Sequence, residues 1–291
     1  MDIIDEIKDK YGNTVFRIFT SVAECRERQF RMHRHTQFEI ALIENGAGIY
    51  DTEHGSENIS AGNIFLFSAN EYHCVTDIFP CDGNNFMTLL NIQFLPNFAA
   101  NDDIPGENSH LDVFLSRSRS FRNKLDSNNR FIEKIRDYIL LLRSECSEKL
   151  PCYKAAVRTV LTELLICLYR NFGLTDQNRC HTDLHHLGNI TKAVAYINEH
   201  YCENISLRDI MDAAQLSKST FFTAFRNAFD MTPWNYINIK RTEKAMKLLK
   251  ESDATVLETA ALCGYNGTAG FNRIFKKITG ITPREFRAGN R

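Results

Sequence analysis

Apolar residues change their spacing along the chain, and the change divides it. Between residues 14 and 95, short runs of aromatic and β-branched residues alternate with glycine-bearing breaks. The runs 15–19, 38–43, 64–67 and 87–94 predict strands, and Gly46, Gly48, Gly55 and Gly62 mark turns between them. Strands this short and this evenly spaced predict an antiparallel β-barrel or double-sheet jelly roll. The stretch 97–108 is polar and predicts a loop.

From residue 129 the period becomes helical. Phe131, Ile135, Tyr138, Ile139 and Leu142 recur at three- and four-residue steps. Pro151 is expected to open the next helix, whose stripe is Val157, Val160, Leu161, Leu164, Leu165, Leu168 and Phe172. That stripe packs either on the barrel or against a second copy of the chain, and both explanations give one pattern. The stretch 174–186 is polar and reads as a linker. Its Cys180, His181, His185 and His186 match no common structural zinc spacing.

The last hundred residues repeat one layout. In 205–225 and again in 255–275, an apolar helix is followed by a tight turn and a second helix with small polar residues and aromatic anchors. This is the pattern of a helix-turn-helix, whose second helix enters a DNA major groove. An opening helix over 191–201 precedes the first unit. Ser206 and Ser217 are N-cap residues, and Gly264 ends a helix in the second unit. Phe221, Phe225, Phe271 and Phe275 are expected inside. Between the units, 233–250 predicts one helix of 18 residues, about 27 Å long at 1.5 Å per residue. Successive major-groove faces lie about 34 Å apart, so such a helix can hold two readers against one face of a duplex.

Charge sharpens the division. From residue 189 onward there are 15 Lys+Arg and 10 Asp+Glu, a balance of +5; the rest carries 20 against 26, a balance of −6. A basic end joined to an acidic body suits a nucleic-acid reader attached to something else. No apolar run is long enough for a membrane span. The first residues lack the layout of a signal peptide, and nine scattered cysteines without CxxC pairs suit reduced thiols, so a cytoplasmic protein is expected.

Candidate chemistry sits in the strand-rich part. His33 and His35 fall on one side of an extended segment, with Glu39 four residues on and His73 beyond a later strand. Three imidazoles and a carboxylate suit a divalent transition metal; the other reading is a metal-free ligand pocket or satisfied interior histidines. His33, His35, Glu39 and Gly46 resemble the first motif of the cupin family, and Gly62 with His73 resembles part of its second. Ser68-Ala-Asn70 departs from the Pro-x-Gly turn usual there.

The run 264–287 resembles the signature of AraC/XylS-type transcription regulators, and 241–249 is similar to that family's linker helix. The resemblance implies a multidomain α+β chain: a cupin-like ligand-sensing domain over 1–105, a helical dimerisation or packing segment over 106–173, a linker over 174–188, and an all-α tandem helix-turn-helix domain over 189–291. It places Ser219, Phe222 and Thr223, then Thr268, Ala269, Asn272 and Arg273, toward the groove. Lys276 and Lys277 are suited to phosphate. Phe222 and Thr242 depart from the usual polar and apolar types at their positions. The implied function is a ligand-responsive, sequence-specific transcription regulator, not an enzyme, with no cofactor. Its partners would be double-stranded promoter DNA, a small effector such as a sugar, a second copy of the chain and RNA polymerase. Arg31, His33, His35, Glu39, Tyr50 and His73 are the expected ligand-pocket residues. The alternative is a cupin metalloenzyme with His33, His35, Glu39 and His73 as metal ligands.

Overall fold

Among the described residues, eight strands form two antiparallel sheets. In the computed structural model, which describes residues 2–24, 34–79, 86–100, 108–118, 120–175 and 186–289, they are β1 Asp2–Lys8, β2 Thr14–Glu24, β3 Phe38–Asn45, β4 Ala47–Thr52, β5 Gly55–Ser60, β6 Ile64–Phe67, β7 His73–Phe79 and β8 Phe86–Phe94. One sheet has the order β1-β2-β8-β3-β6 and the other β5-β4-β7. Ala41, Ile43, Phe65 and Phe67 from the larger sheet meet Tyr50, Ile59, Val75 and Ile78 from the smaller one in a separate interior cluster. The opposite face of the larger sheet, with Ile18, Ile40, Leu42, Ile64, Leu66 and Ile92, joins a core shared with helices. Burial on both faces is why β3 reads as a continuous apolar run, whereas β4 alternates and turns Tyr50 inward. Gly48 in β4 allows close strand approach, since a Cβ there would stand 2.1 Å from the Asp77 carbonyl oxygen.

β1 has no counterpart among the predicted strands. It pairs with β2 at the sheet edge, and its buried Asp5 is held by Lys149 at 2.7 Å. Its acidic residues conceal the strand from a reading based on hydropathy.

Helices α1 Pro96–Ala99 and α2 Asp112–Leu115 lead to α3 Ile132–Glu148 and α4 Tyr153–Asn171. Pro151 lies in the turn before α4, not inside it, and the helix starts after Cys152 in a left-handed conformation. Val157, Leu161, Leu164, Leu165 and Leu168 are fully buried within the chain, so this stripe is core and not a free dimer surface. Of the two explanations for the stripe, packing within the chain accounts for these five side chains. Burying five branched side chains against α3, α1, α2 and the turn before α2 leaves none of them for a partner.

The remaining helices are α5 Leu187–His200, α6 Leu207–Ala214, α7 Lys218–Phe229, α8 Pro233–Glu251, α9 Val256–Leu262, α10 Thr268–Thr279 and α11 Pro283–Ala288. Ser206 and Thr255 form capping boxes with Asp209 and Glu258, and Ser217 caps α7. Gly264 has φ +81° and a Cβ there would lie 2.7 Å from the Cys202 carbonyl oxygen, so both torsion and space require glycine. Thr242 is buried, yet its hydroxyl donates to the Asn238 carbonyl at 2.8 Å, which makes it acceptable inside α8.

The two helix-turn-helix units are anchored differently. Phe221, Phe225, Phe229 and Tyr236 of the first belong to the same continuous core as the sheet, α3 and α4. The second has its own core of Ala245, Leu249, Ala260, Cys263, Phe271, Phe275 and Phe286. From α10, Ile274 and Ile278 reach the main core.

Candidate DNA-reading face and sensor interior

Reading helix α7 buries Phe221, Ala224, Phe225, Ala228 and Phe229. Ser219 and Thr223 lie exposed on its other side, together with Arg226. Phe222 is half-buried, packed on the core beside Phe221 at a ring separation of 5.9 Å. A phenyl ring gains more by covering apolar surface than by standing in water, so Phe222 is less available to a groove than its helical position implies.

Reading helix α10 buries Phe271, Phe275, Ile278 and Thr279. Ala269, Asn272, Arg273, Lys276 and Lys277 are exposed, and Thr268 is half-exposed at the helix start. Gly270 lies on the exposed side with no protein atom near its Cβ position, so close packing within the chain does not explain it. Thr268 and Asn272 border a cleft of about 610 Å³ whose other walls are the N-cap Thr255 with Val256 and Leu257 of α9 and Arg284, Arg287 and Ala288 of α11. Arg284 is exposed there, while Arg287 donates to the Ala254 carbonyl. Neither arginine was among the sequence candidates. They lie outside the reading helices, and only the packing of α11 beside α10 brings them to the same cleft.

Inside the barrel, β3 delivers Glu39 and the segment before it delivers His35; β7 begins with His73. All three are buried, and their ligand-type atoms lie within 4.8 Å of one another. His35 Nε2 is 2.9 Å from Glu39 Oε2, and its Nδ1 is 2.9 Å from the Gln37 carbonyl. Both ring nitrogens thus face oxygen acceptors. Gln93 Nε2 donates to the same Glu39 oxygen at 2.5 Å, and Arg17 Nη2 donates to the side-chain oxygen Oε1 of Gln93. His73 Nδ1 meets the Glu71 carbonyl at 2.9 Å, and its Nε2 lies 3.8 Å from Glu39 Oε1. Burial pushes the Glu39 carboxyl pKa up, but the His35 hydrogen bond, the charges of His35 and His73 and the Gln93 bond outweigh it. The net effect holds Glu39 well below the ordinary carboxylate range.

Aromatic rings pack against the same cluster. His73 stacks on Phe67 at 4.0 Å, and Tyr50 lies against Phe65 and Phe67 at 5.0 and 5.2 Å. Burial raises the Tyr50 hydroxyl pKa well above its ordinary value, so it stays protonated and able to donate. His35, Glu39, Tyr50 and His73 therefore converge; Arg31 and His33 lie outside the described residues. Gln93 and Arg17 were not anticipated. Gln93 enters through strand register, as the cross-strand partner of Glu39. The nitrogen and oxygen donors are of the type and spacing that a divalent ion takes. In the structure Glu39 Oε2 is already hydrogen-bonded to His35 and Gln93, bonds which such an ion would have to displace.

A β-rich ligand-binding domain followed by a helical DNA-binding domain defines a ligand-responsive transcription regulator. Residues 19–77 match the family profile described as AraC-like ligand binding domain, and residues 210–289 match a helix-turn-helix domain. The chain belongs to the AraC/XylS-type transcription regulators with an N-terminal cupin-like sensor domain. It is 25% identical over 268 residues to the HTH-type transcriptional activator RhaS of Escherichia fergusonii, covering 89% of this chain and 88% of that protein. RhaS of Shigella sonnei is 23% identical over 274 residues, covering 90% and 89%. In fold it is similar to ToxT from Vibrio cholerae, with TM-score 0.53 and 12% identity over 95% of this chain and 99% of that one. Among the described residues no helix is long and apolar enough to cross a membrane.

Proposed function

We propose that the barrel senses a small polar metabolite and transmits its presence to promoter binding. The observation that carries this reading is the buried His35–Glu39–His73–Gln93 cluster flanked by Tyr50, Phe65 and Phe67. Charged hydrogen-bonding groups beside ring faces suit a hydroxylated ring, so a sugar is the first class to try. A relative of the same fold, ToxT, has been solved with an unsaturated fatty acid bound, which makes carboxylic acids the second class. The sensing division is 1–105, with the helical segment 106–173 behind it, a linker at 174–188 and the reading division 189–291. The chain acts in the cytoplasm as a homodimer, touches RNA polymerase at its promoters and catalyses nothing. Its dimer surface is one other than the buried α4 stripe.

A thermal-shift screen of the full chain over sugars, sugar acids and aromatic or aliphatic acids tests the sensor. A ligand at a hundred times its Kd should stabilise the fold by about 2.7 kcal/mol and raise Tm visibly. A flat response across all these classes would leave the barrel as a structural or dimerising unit only.

On the DNA side, Ser219, Thr223, Thr268, Ala269, Asn272 and Arg273 face the grooves and Lys276 and Lys277 reach phosphates, with the exposed Arg284 added to the phosphate set. Phe222 contributes by packing more than by base contact. Arg273→Ala should weaken binding to the chain's selected duplex by about 1–3 kcal/mol and relax preference at one base pair. Electrophoretic titration of matched and singly substituted duplexes reads both effects; a uniform loss across sequences would instead assign Arg273 to phosphate.

A further inference from the structure

The sensor domain grips the second reading helix at its C-terminal end. The Tyr72 hydroxyl donates to the Lys277 carbonyl at 2.5 Å, and Arg34 Nη2 approaches the same oxygen at 3.5 Å. Lys277 is in the last turn of α10, where carbonyls lack intrahelical partners and the helix dipole is negative. A phenol and a guanidinium are the groups that such an end attracts. The grip is itself braced. The Arg34 guanidinium lies 4.3 Å from the centre of the Tyr72 ring and donates to Asn70 Oδ1 at 3.1 Å. The Tyr72 amide donates to Glu53 at 3.1 Å.

Three further facts give this contact a regulatory meaning. The first reading unit shares the continuous core of the sensor, whereas α10 reaches that core, among the described residues, through Ile274 and Ile278. The second unit is therefore the one that can change its position relative to the sensor without opening a large apolar interface. Next, the clip residues share backbone with the barrel cluster: Arg34 precedes His35, and Tyr72 precedes His73. Each neighbouring pair places one residue in the interior and one on α10. Last, the clip brings the sensor, with the Glu53 carboxylate behind it, to the end of α10 that carries the exposed Lys276 and Lys277. A DNA phosphate approaching those lysines meets a surface already occupied by the sensor.

We infer that the Arg34–Tyr72 clip on the Lys277 carbonyl is an autoinhibitory contact, released when the second reading unit engages DNA. The inference depends on the DNA-binding assignment and not on the effector class, so a flat ligand screen leaves it standing. Tyr72→Phe removes one hydroxyl and keeps the ring under Arg34; Arg34→Gln removes the charge. The full-length chain and both variants are titrated, without added ligand, against a duplex selected from a random pool by the wild type. Each variant should bind roughly three- to tenfold more tightly, the range expected for losing one opposing hydrogen bond. Hydrogen exchange supplies a second measurement on the wild type: amides in 70–73 and 278–282 should exchange faster once DNA is added. Equal or weaker binding by Tyr72→Phe, or undiminished protection of both segments in the DNA complex, overturns the inference.

Discussion

Phe225→Ala should destabilise the sensor and the first reading unit together, by about 3–5 kcal/mol. Phe225 is fully buried and touches three rings: Phe221 at 5.7 Å, Phe229 at 5.1 Å and Tyr236 at 5.7 Å. Those rings belong to the core that continues through α5, α1 and the larger sheet, so a cavity there weakens everything the core joins. Phe275→Ala removes a side chain of the same size from a different cluster, that of the second unit. Its cost should be of the same order but confined to α8's C-terminal half, α9, α10 and α11. One probe separates the two outcomes. The chain has a single tryptophan, Trp234, in the first turn of α8, beside the first unit. Urea unfolding followed by Trp234 fluorescence and by far-ultraviolet circular dichroism should shift together in Phe225→Ala. In Phe275→Ala the dichroism should show an earlier transition that the fluorescence does not. Coincident curves, equally shifted, in both variants would mean that the two cores unfold as one.

That difference in anchoring was not legible in the sequence. The two units look alike as strings: each has a capped first helix, a turn, and phenylalanines four residues apart. What sets them apart is which neighbours those phenylalanines find. Phe225 meets Tyr236 at the start of α8 and the core beyond, while Phe275 meets Phe286 of α11. Pairings of this kind depend on how chain segments far apart in sequence come together.

Local signals carried more of the fold. β-branched runs located β2, β3, β6 and β8, and the serines at 206 and 217 cap the helices expected of them. β1 escaped because an edge strand with four charged residues in seven has no apolar alternation to read. The interior cluster was half legible. His35, Glu39 and His73 announce themselves by residue type, but Gln93 is recognisable only through its register opposite Glu39. Similarly, Tyr72 and Arg34 draw no attention in the sequence, because contacts with a backbone carbonyl 205 and 243 residues away leave no motif.

Glu39→Gln should cost about 1–3 kcal/mol near neutral pH, the usual loss when a buried hydrogen-bonding group is left without its partner. The substituted side chain would retain the shape of the original, but its amide supplies one acceptor oxygen and no charge where His35 and Gln93 now share a carboxylate oxygen. The pH dependence identifies the cause. The Glu39 carboxyl is held below the ordinary carboxylate range in the folded chain: burial opposes this, and the His35 hydrogen bond and the charges of His35 and His73 prevail. A carboxylate depressed on folding binds fewer protons in the native state than in the unfolded one, so its contribution is present above the unfolded pKa of about 4.3. That contribution is lost progressively as pH falls below this value toward the folded pKa. Wild-type stability, measured by urea unfolding between pH 6 and pH 3, should therefore fall more steeply than that of Glu39→Gln, and the two curves should converge at the acid end. Parallel curves would show that Glu39 ionises alike in the folded and unfolded states. The paired burial of a carboxylate and two imidazoles would then not be what stabilises the barrel interior, and the same cluster would lose its claim to be the charged lining that a ligand meets.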